Sequence, residues 1–346
     1  MILYIVPNIN KVSGGPRSRI MNFKKEFISN SDLVIEGNGF DKLKSVFGTR
    51  RHGKVYIETA SNRLFFVDFI CLSILYLKGC KIIPFIRDIY IELLPQEYSS
   101  FRGKITKLFN KISNKFLCKI AELVVFPTKE MGKKYFEINQ FSKPIRYDEL
   151  PPGCFKTNEE KNMPAASVSK EKTGLAFIGG VNYANSGIDN FINIAGKLNV
   201  KYNFYILSQD KNVEKILEQH NLTLKITFTH VKFELLATYF QDNNIKFAIH
   251  ARSRSLYDDL TFPIKILDLI SLGIPFLSEK HKPIARLTGD KYPLFCEIEK
   301  VEEIDKKLSQ YEQESYYGKL LDDIRLLRER NLYKQRYIEL TKFFKN

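Results

Sequence analysis

Several familiar signatures are missing from this 346-residue chain, and each absence removes a class of protein. Its five cysteines (Cys71, Cys80, Cys118, Cys154 and Cys296) are odd in number and scattered, with no C-x-x-C pair. Neither a disulfide framework nor a zinc site is therefore expected. Long apolar runs are scarce. The longest, 64–77, is interrupted by Asp68 and stops short of the roughly 20 residues a membrane helix needs, so it reads as a buried core helix. No basic segment precedes the apolar run 1–6, which ends at Pro7 and reads as a first buried strand rather than a signal sequence. The chain also lacks internal repeats, low-complexity tracts, and helix-turn-helix, RNP, KH or zinc patterns. No D-x-D-like pair stands in a convincing setting. A cytoplasmic protein without a resident metal or a nucleic-acid partner is the expectation.

What is present is charge and a core. There are 54 basic and 39 acidic residues, a net charge of +15, with 44% hydrophobic and 27% charged residues. That composition fits a packed protein, and the length suggests two domains. The excess positive charge calls for nucleic acid, an anionic membrane surface or phosphorylated ligands.

Short apolar runs alternate with helical patterns. Strands are expected over 3–6, 33–35, 54–57, 81–86, 123–126 and 146–150, rich in Ile and Val without strict alternation, as in strands covered on both faces. Helices are expected over 17–29 and 64–78. The stretch 156–172 is polar, contains Pro164 and has no period, so it reads as a linker. Strands then resume at 175–178, 204–207, 226–229, 247–250 and 275–277, with helices over 188–198, 213–220 and 263–272. The remainder from Val301 is charged, amphipathic and helical. The pattern predicts two α/β Rossmann-like domains in tandem, 1–155 and 173–330, facing a central cleft that takes the ligand. Residues 331–346 form a C-terminal helix expected to pack back on the first domain.

Two segments carry chemistry. Val12-Ser13-Gly14-Gly15-Pro16 lies between the first strand and the first helix. Its glycines let backbone approach a ligand, and the helix N-terminus offers amides to an anion; a plain strand-to-helix turn would use the same residues. Thr261-Phe262-Pro263-Ile264-Lys265-Ile266-Leu267-Asp268 opens a helix closed by Gly273 and Pro275. Helix amides and Lys265 make a compact positive site suited to a diphosphate. Asp268, one turn deeper on the same face, can accept hydrogen bonds from both hydroxyls of a ribose; taken alone, a Lys–Asp surface pair explains the spacing as well.

The order P-x-K-x-x-(D/E)-x-x-x-x-G-x-P, late in a second α/β domain, resembles the donor-site helix of GT-B-fold glycosyltransferases of the retaining family-4 type. Collinear pieces agree: Gly14-Gly15, the run from Pro84 to Tyr90 through Arg87-Asp88, Val124-Val125-Phe126-Pro127-Thr128, Leu150-Pro151-Pro152-Gly153, and Phe177-Ile178-Gly179-Gly180-Val181-Asn182-Tyr183. The resemblance implies transfer of a sugar from a nucleotide-diphosphate sugar to a glycan or lipid-linked acceptor, with retention and without a metal. Asp268 would hold the ribose and Lys265 the diphosphate, with Thr261 and Pro263 beside them. Gly14 and Gly15 would admit the phosphates, the turn with Gly180 and Asn182 would line the nucleotide side, and Asp88 would sit where sugar meets acceptor.

Two departures are visible. Many family-4 enzymes have an acid eight positions before Asp268, where this chain has Leu260; Asp259 is the expected substitute. Many also carry a basic pair after the first strand of the second domain, but 182–190 has none, so Arg252 and Arg254 are expected to supply that charge. His250, ending a strand, reads as a packed histidine, and Arg87-Asp88 reads equally as a local ion pair. A GT-B-like protein that binds nucleotide or glycan without turnover is the alternative.

Residues 1–150 carry 25 basic and 14 acidic side chains, so most of the net charge lies there. Arg102, Lys104, Lys107, Lys111, Lys115 and Lys119 fall on one helical stretch, 102–120, which has no acid. Ile105, Leu108, Phe109, Ile112 and Phe116 form an adjoining apolar stripe. Such a helix docks on an anionic membrane, or else packs its stripe on the domain with solvated lysines. Peripheral attachment at the inner face of the plasma membrane is the expectation.

Overall fold

The computed structural model describes residues 1–12, 14–37, 41–59, 64–93, 95–141, 144–156, 172–182, 185–220 and 225–345. The chain divides into two compact units. Unit 1 comprises Met1–Gly153, Leu260–Phe262 and Tyr333–Asn346; unit 2 comprises Cys154–Asp259 and Pro263–Leu332. The expected linker, 156–172, lies outside the described residues except at its two ends.

Unit 1 is built on a parallel sheet of β1 (Ile2–Val6), β2 (Leu33–Glu36), β3 (Lys54–Glu58), β4 (Lys81–Phe85), β5 (Val124–Phe126) and β6 (Tyr147–Glu149), in the order β2-β1-β3-β4-β5-β6. Leu3 pairs with Leu33 on one side and Val55 on the other. Every side chain of β1 is buried, and their alternation feeds two cores. Ile2, Tyr4 and Val6 point into a cluster with Phe23, Phe27, Tyr56 and Phe85. Leu3 and Ile5 point to the opposite face, against Val55, Ile57, Cys71 and Leu72. The helix Tyr333–Phe343 closes the first cluster: Tyr333 meets Phe23 edge-on at 5.8 Å, and Tyr337 meets Phe27 at 5.2 Å.

The apolar run at 64–77 forms the helix Phe66–Leu77 of this core. Asp68, which interrupts the run, caps it by accepting from the Phe65 amide (3.0 Å) and pairs with buried Lys42 at 2.8 Å. No helix among the described residues is long and apolar enough to cross a membrane. All five cysteines are buried free thiols.

Unit 2 repeats the plan with β7 (Gly174–Ile178), β8 (Asn203–Leu207), β9 (Ile226–Thr229), β10 (Ile245–His250) and β11 (Phe276–Ser278), ordered β11-β10-β7-β8-β9. All its pairings are parallel. The residues after Val301 form three helices, of which Val301–Tyr311 and Glu314–Arg330 belong to unit 2. In each sheet the strand order reverses once, between β1 and β3 and between β7 and β10. A crevice opens at the carboxyl ends of the strands flanking such a reversal, and ligands of open α/β sheets bind there. Those ends place the candidates.

Candidate functional site

In unit 2 the chain leaves β7 at Gly179, whose φ of +116° is open only to glycine without strain. A Cβ there would lie 2.2 Å from Lys265 Cε and 2.3 Å from its Nζ, so the lysine side chain lies directly across this residue. Its ammonium is 5.1 Å from the Phe177 ring centroid, a cation–π contact that keeps the long side chain over the end of β7. Lys265 stands in the first turn of the helix Ile264–Ser271. Pro263 is the N-cap and gives no side-chain cap, so the first-turn amides are not met by the cap residue.

Asp268 follows one turn later, half-buried. Among the described residues no hydrogen-bond donor reaches its carboxylate, and burial, opposed by Lys265, pushes its pKa up to about 7. A carboxylate kept short of donors in a crevice is suited to a ligand that brings its own.

His250 ends β10 on the other side of the reversal. It is buried, with Nε2 lacking a partner among the described residues, and its ring meets His281 edge-on at 5.8 Å. Burial first, then the positive Arg252, the neighbouring His281 and Lys265, hold the imidazole well below its ordinary pKa, so it is neutral. The histidine is packed, as its place at the strand end predicts, and carries no charge.

Arg252 is oriented by Asp258, at 2.9 Å; Asp258 also accepts from Asn185 Nδ2 at 2.7 Å. Arg254 turns elsewhere. Its guanidinium pairs with Asp259 at 3.1 Å, and it lines a separate basic cleft with Lys280, Lys282 and Arg286. Asp259 is committed there: burial raises its pKa, but the bonds from Arg254 and from the Lys282 amide (3.1 Å) outweigh that and hold it below the usual carboxylate range. Leu260 has another task. It is buried in a unit 1 cluster with Ile86, Phe126 and Tyr135, and its carbonyl accepts from Thr128 Oγ1. Thr261 is buried in the same three-residue stretch of unit 1, whereas Pro263 returns to unit 2.

The half-exposed Gly180 and exposed Asn182 continue the turn after β7. Tyr183, like Ser13, lies outside the described residues. The turn is fixed by Asp210, which no sequence motif had singled out. Asp210 Oδ2 accepts from the amides of Val181 (2.6 Å) and Asn182 (3.3 Å), and Asn212 donates to Asn182 Oδ1 at 3.2 Å. The available signal was a polar turn, Ser208-Gln209-Asp210, at the end of an apolar parallel strand.

On unit 1, Gly14 opens the first helix, Gly14–Ser29, three residues earlier than its periodicity predicts, with φ +61°. Gly15 follows within that first turn. Asp88, half-buried three residues after β4, pairs with the adjacent Arg87 at 3.0 Å, the local ion pair its sequence allowed. Behind the Gly14 turn, buried Arg19 donates to both oxygens of Glu58 (3.1 and 3.2 Å) and to Tyr56 Oη at 3.1 Å, with its guanidinium 3.9 Å from the Phe85 ring centroid.

No protein-family model and no curated protein sequence matches the chain. Solved structures do. An alpha-glucosyltransferase in complex with UDP and a 13-mer DNA superposes with a TM-score of 0.67 at 7% identity, covering 100% of this chain and 99% of that one. An alpha,alpha-trehalose-phosphate synthase (UDP-forming) from Burkholderia xenovorans, in complex with glucose-6-phosphate, gives 0.62 at 11% identity over 100% of both chains. TarM of S. aureus, with UDP bound, gives 0.55 at 13% identity over 84% of this chain; the match spans 55% of TarM's length. These neighbours are glycosyltransferases, and the present chain has their GT-B fold, two Rossmann-like α/β units with parallel sheets.

Proposed function

We propose that the chain is a glycosyltransferase that moves a sugar from a nucleotide-diphosphate sugar to a glycan or lipid-linked acceptor at the inner face of the plasma membrane. The observation that carries this reading is Asp268: a carboxylate without donors among the described residues, one helical turn from Lys265, which itself crosses Gly179 at the sheet reversal. Ribose hydroxyls would supply the missing hydrogen bonds. Breaking the sugar–phosphate bond develops negative charge on the departing diphosphate. Lys265, Arg252 and the first-turn amides of Ile264–Ser271 stabilise it as it forms, the role a divalent metal has in other transferases. Retention of the anomeric configuration comes with the family resemblance. We assign Asp88 to the transferred sugar, and Gly14 and Gly15 to the phosphates.

Binding without turnover is the second reading, and the commitment of Asp259 to Arg254 and Lys282 favours it, since no acid then replaces the one absent at Leu260. One experiment separates them: thermal shift and donor hydrolysis against a panel of nucleoside diphosphates and nucleotide sugars, with a chelator present. Stabilisation with hydrolysis supports the transferase, and stabilisation without hydrolysis or transfer supports the binding protein. Stabilisation by none removes both. Acceptor assays include duplex DNA, because one neighbour was crystallised with it.

A further inference from the structure

The helix Phe101–Ile120 buries apolar residues only in its last turn, and over 101–114 it is packed inside out. Its buried residues are Gly103, Asn110, Ser113, Asn114, Leu117, Cys118 and Ile120, mostly small or polar. Its exposed face carries Phe101 (79% exposed), Ile105, Leu108 (57%), Phe109 and Ile112. A surface helix ordinarily does the reverse, and a contiguous exposed apolar patch marks an interaction site. The patch continues onto a second element. The Leu64 amide donates to Ser113 Oγ at 3.0 Å, and Phe69 packs on Phe116 at 4.9 Å between centroids. The start of the helix Phe66–Leu77 therefore abuts Phe101–Ile120 and presents Phe65 and Phe66, the latter 77% exposed. Beside the apolar stripe run Lys104, Lys107, Lys111, Lys115 and Lys119, with Arg102 at the helix start. None of the six forms a salt bridge among the described residues, and 101–120 contains no acid.

We infer that this two-helix face inserts into an anionic lipid surface, with its phenylalanines and aliphatic side chains below the headgroups and its lysines among the phosphates. The charge decides the occupant. A second copy of the chain, docked face to face, would set one lysine row against another. Nucleic acid would satisfy the lysines and leave the apolar row in water. An anionic bilayer takes both rows at once. This surface gives the proposed membrane-borne acceptor its meeting place, and in that sense rests on the transferase reading; its lipid affinity does not.

The chain has no tryptophan, so Leu108→Trp places one reporter in the middle of the patch. Vesicles of phosphatidylcholine with phosphatidylglycerol should shift its emission to the blue, and lipids brominated high on the acyl chain should quench it. Pure phosphatidylcholine should do far less. Neutralising Lys104, Lys111 and Lys115 to Gln should weaken binding by roughly fivefold per charge. Ile105→Glu with Ile112→Glu should abolish the shift while leaving the thermal midpoint in solution unchanged. Cosedimentation of the unaltered chain with the same vesicles covers the case in which the Trp variant folds poorly. An emission spectrum indifferent to anionic vesicles, with no cosedimentation, overturns the inference. So does a shift produced equally by duplex DNA or by raising the protein concentration alone. Vesicle binding by a chain that no nucleotide stabilises would refute the donor reading and leave the docking face standing.

Discussion

Replacing Asp268 with Asn tests the donor site without any substrate in hand. The carboxyl rises from an ordinary value of ~3.9 to about 7, which corresponds to a preference of about 4 kcal/mol for the protonated form. Half-burial leaves part of the carboxylate in water, and about half that figure, ~2 kcal/mol, is the expected effect after screening. The sign follows from linkage. Well below the ordinary value of ~3.9, Asp268 is protonated in both states and costs nothing. As pH rises toward 7 the unfolded chain ionises first, so native stability falls, and above 7 the loss is complete. Asparagine never pays it. Asp268→Asn should therefore differ from the wild type little near pH 4 and exceed it by ~2 kcal/mol at pH 8, roughly 4–8 °C in thermal midpoint. Nucleotide binding moves the other way: losing a charged acceptor for ribose hydroxyls should weaken a nucleoside diphosphate about 10–100-fold. Wild-type affinity should also fall between pH 7 and pH 5 relative to the variant, the phosphate titration of the ligand being common to both. Calorimetric unfolding and titration across pH 5–8 measure both effects. A variant no more stable than wild type at pH 8, or a difference flat in pH, would refute the donor-starved carboxylate. A stabilised variant with unchanged nucleotide affinity would refute its ribose role alone.

Asp210→Ala frees the amides of Val181 and Asn182, costing about 1–3 kcal/mol, and should weaken nucleotide binding by unfixing the turn beside Lys265, whereas Asp210→Asn should retain part of both by titration calorimetry. Arg19→Met leaves Glu58 charged and unpaired in the unit 1 core and should destabilise by about 3–5 kcal/mol in denaturant. Adding Glu58→Gln should recover most of that loss, and a double variant as unstable as the single would sink the charge argument. Leu260→Glu restores the acid that the family pattern leads one to expect, but buries it among Ile86, Phe126 and Tyr135; a lower thermal midpoint with no gain in donor hydrolysis is expected.

The eleven strands among the described residues lie where the sequence pattern puts them because parallel strands covered on both faces are short Ile- and Val-rich runs, which need no knowledge of their neighbours. Which element owns a short connecting segment is another matter. Leu260–Phe262 belongs to unit 1 while its flanks belong to unit 2, and three residues have no period to reveal that. Arg252 and Arg254 likewise sit two apart in one loop, before two adjacent aspartates. Arg252 takes Asp258, whereas Arg254 takes Asp259 and lines the basic cleft. Either pairing satisfies the sequence, and only the packing of the loop chooses. The helix Phe101–Ile120 makes the same point in its sharpest form. Its pattern fixes the axis along which lysines, apolar residues and small polar residues separate, but not which end of that axis points inward. The inward face is the one that can come closest: a Cβ on Gly103 would lie 2.7 Å from the Tyr98 backbone, and Ser113 reaches the Leu64 amide. Intimate contact with small and polar groups turns Ile105, Leu108 and Ile112 outward beside the lysines, where they stand exposed.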